Sequence, residues 1–186
     1  MRVVPSKPRF TAERIGSDLV VTSLPRRNWF ILLFIFVWLG GWTIGGMTAF
    51  AAVLQPGPNR AFMGFWLIGW TLGELYALGI VLWQLTGREQ LTVSSKGFVH
   101  RIFAAGLSRA REFAAADIKH LRASPHLLSP WMDQRGMMPP LFGAGHGAIA
   151  FDYGAKTYRI GSGLDEAEAR LVLAEIAKFS PRMVEA

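Results

Sequence analysis

The chain has 186 residues, a formal net charge of +7, 51% hydrophobic residues and no cysteine. That length holds at most one membrane domain plus one modest soluble domain. The lack of cysteine excludes disulfides, thiolate chemistry and cysteine-held metals. The basic surplus is spread along the chain without interleaved aromatic residues, so it does not point to nucleic acid.

Residues 1–27 are basic: Arg2, Lys7, Arg9, Arg14, Arg26 and Arg27 stand against Glu13 and Asp18. Residues 1–8 read as disordered. Phe10 to Arg14 and Asp18 to Ser23 are short strand candidates around Gly16-Ser17, and Leu19, Val20 and Val21 have high strand propensity. Strands this short are not stable alone. They are expected to join the sheet of the C-terminal domain.

No charged residue lies between Asn28 and Asn59. Trp29 to Leu54 is long enough to cross about 30 Å of hydrocarbon at about 1.5 Å of rise per residue. The next apolar run, 61–87, carries one charge, Glu74. Gln55-Pro56-Gly57-Pro58-Asn59-Arg60 ends one helix and starts the next. Residues 28–87 therefore read as a transmembrane hairpin with spans 28–54 and 61–87. Arg26, Arg27 and Arg88 flank it on the outside, and only Arg60 lies in the loop. The arginine bias puts both termini in the cytoplasm of a cell inner membrane. The first span is too long for a signal peptide and lacks a small-residue cleavage site.

Inside the hairpin a motif recurs at an offset of 28 residues. Trp38 to Gly46 reads WLGGWTIGG and Trp66 to Glu74 reads WLIGWTLGE. Gly41 with Gly45, and Gly69 with Gly73, are small-xxx-small pairs, which let helices approach closely in lipid. In an antiparallel hairpin the four glycines are expected to meet near the midplane, beside Trp42 and Trp70. The seam serves internal packing, a membrane-protein partner or a second copy. Glu74 falls near the bilayer centre, where a bare carboxylate is costly. It is expected to be protonated or hydrogen-bonded, with Trp38, Trp42 or Thr43 as donor. No second acid, histidine or lysine sits at that depth to build a proton relay.

After Gly87 the period changes from helix to strand. Leu91 and Val93 alternate with Gln90, Thr92 and Ser94, and Ser95-Lys96-Gly97 is a turn. Phe98 to Phe103, Ala110 to Phe113, Ile118 to Arg122, Gly147 to Tyr153 and Thr157 to Ile160 are further strands. Asp165 with Glu168 is a capping box opening a helix, with Leu171, Val172, Ala174, Ile176 and Phe179 on its apolar side.

The stretches REQLTVSSKGFVHR (88–101), SRAREFAAADIKHLR (108–122) and GAIAFDYGAKTYRIGSGLDEAEAR (147–170) resemble those of the bacterial pleckstrin-homology-like (PH-like) membrane proteins. In that family a transmembrane hairpin precedes a cytoplasmic PH-like domain. The resemblance covers about residues 88–186. It implies an α+β membrane protein: a two-helix hairpin plus a small PH-like β-barrel or curved sheet with a C-terminal helix. It also implies a scaffold or interaction role and no defined chemistry.

The loop 123–146 is long for a compact domain, a property often tied to function. Its Trp131, Met132, Met137, Met138 and Phe142 make an adaptable contact surface for the core, the bilayer or a partner. His100, His120, His126 and His146 lack metal-site spacing and read as solvent-facing. No nucleophile elbow, phosphate loop or dinucleotide fingerprint is present. The expectation is no enzyme, no cofactor and no bound metal. The expected role is an inner-membrane scaffold or assembly protein whose partners are membrane lipids and a membrane protein or itself. A rival is an anionic-lipid-sensing module using Arg26, Arg27, Arg88, Arg101, Arg109, Arg111 and Lys119. A second rival is a proton- or ion-coupled transporter component using Glu74.

Overall fold

The computed structural model describes residues 8–25, 27–124 and 147–181. Strands β1 (Phe10–Ile15) and β2 (Asp18–Ser23) come first. Helices α1 (Trp29–Leu54) and α2 (Arg60–Thr86) follow. Then come β3 (Arg88–Ser94), β4 (Gly97–Ala104), β5 (Leu107–Ala114), β6 (Ile118–Ala123), β7 (Ile149–Tyr153), β8 (Lys156–Ile160) and α3 (Glu166–Phe179). The strands form two antiparallel sheets, β1-β2-β3-β4-β5 and β6-β7-β8. The class is α+β.

α1 and α2 are long and apolar enough to cross a membrane. Little protein covers them: Phe30, Leu33, Phe36, Val37, Phe62 and Phe65 are exposed on their outer sides. Their shared seam buries Leu32, Leu39, Ala77 and Val81. Asn28 caps α1 by accepting the Ile31 N–H at 3.2 Å, which satisfies one of the free donors of the first turn.

β2 joins the N-terminal hairpin to the large sheet, with Leu19 opposite Val93 and Val21 opposite Leu91. The period of two sends Leu19, Val21, Leu91, Val93, Phe98 and Phe113 to one face, where they form the core with Ile118, Phe151 and α3. Phe113 sits at the centre of an aromatic cluster, its ring 5.0 Å from those of Phe151 and Tyr158 and 5.2 Å from that of Tyr153.

Asp165 and Glu168 form the capping box of α3. Arg9 adds to it, donating through its backbone N–H to Glu168 Oε1 at 3.0 Å and through Nη2 to Asp165 Oδ2 at 3.2 Å. The N-terminal hairpin is thereby tied to the helix that closes the fold. The buried side of α3 is Ala169, Val172 and Ile176. Leu171 and Ala174, expected on that side, point outward, and Leu171 is 53% exposed. One residue is about 100° of rotation in a helix, so Leu171 cannot share the direction of Val172.

Where the hairpin meets the sheets, backbones touch. A Cβ on Gly163 would lie 2.1 Å from the Leu24 carbonyl oxygen. This contact locks the loop before α3 against the segment leading into α1, and no side chain fits there.

Candidate functional site

The repeated motif folds into a clasp between α1 and α2. The Trp42 indole N–H donates to the Trp70 carbonyl at 3.2 Å, and the Trp70 indole N–H donates to the Trp42 carbonyl at 3.1 Å. The two rings stack at 4.1 Å between centroids. Trp38 and Trp66 extend the stack at either end, at 4.2 and 4.4 Å. An antiparallel pair built from two copies of one motif brings equivalent residues face to face, which explains the reciprocity of the two bonds.

The glycines do not meet one another, contrary to the reading from the sequence. They make room for the indoles. A Cβ on Gly45 would stand 3.1 Å from the Trp70 ring, one on Gly46 3.0 Å from Trp70 Nε1, and one on Gly73 3.4 Å from the Trp42 ring. Gly41 and Gly69 have nothing within 4 Å of such a Cβ. The two small-xxx-small pairs are thus each half used, because the bulky indoles, not the backbones, fill the seam.

Glu74 stands where the first copy has Gly46. Its Oε1 is hydrogen-bonded to Thr43 Oγ1 on the opposite helix, and the side chain is half-buried at the edge of the clasp. Of the three expected donors, Thr43 is the one in place. Trp42 spends its N–H on Trp70. Thr43 Oγ1 also lies 2.9 Å from the Leu39 carbonyl. A hydroxyl has one proton to give, so Thr43 donates to one of these two oxygens at a time.

A second buried constellation lies just past α2. Glu89 points inward with Leu91 and Val93, and its carboxylate accepts the backbone N–H groups of Gly161 at 2.7 Å and Ser162 at 2.8 Å, and the Ser162 hydroxyl at 2.9 Å. His100 Nε2 lies 2.6 Å from Glu89 Oε1. Burial pushes the Glu89 carboxyl up. The hydrogen bond and charge of His100 and the bonds from Gly161 and Ser162 outweigh this and hold it below its ordinary value. The pair lines a cavity of about 20 Å³, room for one water. His100 is therefore buried, not solvent-facing as expected. The period-two pattern of β3 carries the signal, since Glu89 has the parity of Leu91.

His120, on β6, is exposed, as expected. Asp152 accepts from Thr157 Oγ1 at 2.6 Å and Arg122 Nη1 at 3.2 Å, and lies 3.1 Å from His120 Nδ1. Those hydrogen bonds, Thr157 first and Arg122 next, hold the Asp152 carboxyl below its ordinary value. The Thr157 hydroxyl bonds the carboxylate and not the imidazole, so the group has no nucleophile–base pair. Among the described residues no cluster of histidines and acids could hold a metal ion.

The structure divides the arginines of the lipid reading. Arg27 donates to the carbonyls of Gln84 at 3.1 Å and Leu85 at 3.2 Å. It serves the free carbonyls at the end of α2, where a cation also suits the helix dipole. Arg88 lies over the Phe103 ring at 4.2 Å. Arg109 and Arg111 share one face of β5, while Arg101, opposite Ala110, lies on the other face of the sheet. Arg26, His126, His146, Trp131, Met132, Met137, Met138 and Phe142 lie outside the described residues. No family model, curated protein or solved structure matches the chain.

Proposed function

We propose that the chain is an integral inner-membrane protein with two spans and cytoplasmic termini, whose PH-like domain is a tethered scaffold for a membrane complex. The observation that carries this reading is Glu74. It is the one acid on two helices otherwise bare and apolar, and it sits at the edge of a seam already closed by Trp42 and Trp70. A polar group in that position is a docking point for a polar side chain of another span, from a second protein or a second copy. The PH-like assignment draws support from the order of the soluble part: two antiparallel sheets followed by the capped helix α3.

Two measurements test the reading. A reporter active only in the cytoplasm is expected to work at both termini, and a periplasmic reporter only near Gly57. A periplasmic signal from the C-terminus would overturn the topology. Glu74→Gln is expected to keep partner capture, because an amide still accepts and donates. Glu74→Leu is expected to weaken it roughly 3- to 20-fold, the worth of one interhelical hydrogen bond in lipid. Membrane levels must be matched. A proton-carrying role predicts equal damage from both changes, because an amide cannot release a proton, and that result would replace the scaffold by a transport function.

A further inference from the structure

The β4–β5 hairpin turns through Ala105 and Gly106, at φ 50° and 79°. A two-residue turn with both central residues left-handed favours Asn, Asp or Gly. Here the tip reads Ala104-Ala105-Gly106-Leu107, with no polar side chain. Leu107 is 77% exposed. An alanine therefore occupies a left-handed position, and a leucine faces outward, where polar turn residues are the favourable choice in water.

The tip is fixed in place. The Ala105 N–H donates to Thr86 Oγ1 at 2.9 Å, and Thr86 is the last residue of α2. Exposed Leu82 and Leu85 lie on the turn of helix just before it. Basic groups lie near the same end of the sheet, on both of its faces. Arg88 opens β3 and stacks on Phe103 near the end of β4, on the face opposite to that of Arg109 and Arg111. Arg109 and Arg111 follow Leu107 on its own face of β5, about 7 and 13 Å from it at about 3.3 Å per residue. The acid at this end, Glu89, is buried and already bonded. Glu112 lies on the opposite face of β5 from Arg109 and Arg111, opposite Val99 and four residues beyond Ser108, which is in register with Phe103 and Arg88.

We infer that this tip is a second membrane contact, distinct from the spans. Ala105 and Leu107 enter the interfacial layer of the bilayer that α1 and α2 cross, and Arg88, Arg109 and Arg111 lie against anionic headgroups. The inference rests on the membrane reading of the hairpin. It makes the soluble domain a body held at a set tilt on the membrane by three points, two helix ends and one strand turn. Attraction to anionic lipid fades over a screening length of about 8 Å at physiological salt, so Arg109 contributes more than Arg111.

The chain has no cysteine, so single labels are clean. The full chain, reconstituted in nanodiscs with or without phosphatidylglycerol, would carry one spin label at Leu107→Cys, Ser95→Cys or Ile44→Cys. Accessibility to oxygen and to a water-soluble nickel complex then reports lipid or water. Ser95 lies in the β3–β4 turn, at the far end of the sheet, and Ile44 lies on the exposed side of α1. The expected result is lipid at 44, lipid at 107 and water at 95. Adding Arg109→Glu to the 107 label should reduce its lipid-inserted fraction about fivefold in anionic discs, and far less in neutral ones. Lipid at 44 with water at 107 overturns this inference and leaves the spans intact. Water at 44 overturns the membrane reading and the inference together. Lipid at 107 that ignores both Arg109→Glu and phosphatidylglycerol overturns the headgroup part.

Discussion

Replacing Glu89 by leucine is expected to lower the unfolding temperature of the soluble part by at least about 12 °C. The change removes the acceptor for the Gly161 and Ser162 N–H groups and the Ser162 hydroxyl, and strips His100 of its partner. Breaking a buried pair from one side costs about 3–5 kcal/mol, and each kcal/mol moves a domain of this size by about 4–8 °C. Glu89→Leu with His100→Leu should recover part of the loss and no more, since the two backbone N–H groups remain without an acceptor. Acid should act on the same group. Its folded carboxyl titrates below the ordinary value of 4.5, so the unfolded chain takes up the proton first as pH falls. The contribution of Glu89 is therefore complete above that value and is lost as pH drops through the lower, folded one. The acid limb of the stability profile should flatten in Glu89→Leu. Sheet circular dichroism of the reconstituted chain, melted at several pH values, checks both. A shift of only a degree or two would show that the carboxylate does not hold the sheet to the loop before α3.

Gly45→Leu is expected to open the α1–α2 seam, while Gly41→Leu, from the same sequence pair, leaves it closed. The first carbon added at Gly45 already stands 3.1 Å from the Trp70 ring, and three more must follow. The stack of four indoles has no slack, because Trp42 and Trp70 are pinned by their reciprocal bonds. Overpacking of this kind costs about 1–3 kcal/mol. At Gly41 and Gly69 an added Cβ meets nothing within 4 Å. Trp70→Phe should fall between the two, losing one N–H donor and keeping most of the ring. Detergent-induced unfolding of the hairpin, read by the spectral shift of its tryptophans, orders the variants. Equal damage from Gly41→Leu and Gly45→Leu would refute the clasp and restore a glycine-to-glycine seam.

Much of the architecture is written in local signals. The uncharged run from Asn28 to Asn59 and the Pro56-Gly57-Pro58 break mark α1 and the start of α2, because helix length and helix breakers act within a few residues. Asp165 and Glu168 mark the start of α3 for the same reason. Alternation in β3 tells which side chains share a face, and it places Glu89 beside Leu91. What it cannot tell is what meets that carboxylate. Gly161 and Ser162 lie 72 and 73 residues further on, and only the closure of the second sheet brings them there. The repeat shows a similar divide. By itself the sequence determines that two tryptophans and two glycine pairs lie in facing helices. Which glycines touch depends on the offset and rotation between the helices, and those follow from where the large rings find space. The tertiary structure alone decided that Gly45, Gly46 and Gly73 hold the indoles, that Gly41 and Gly69 do not, and that Thr43 is the partner of Glu74. Contacts across a helix pair are set by packing of the whole surface, and no stretch of one chain segment encodes them.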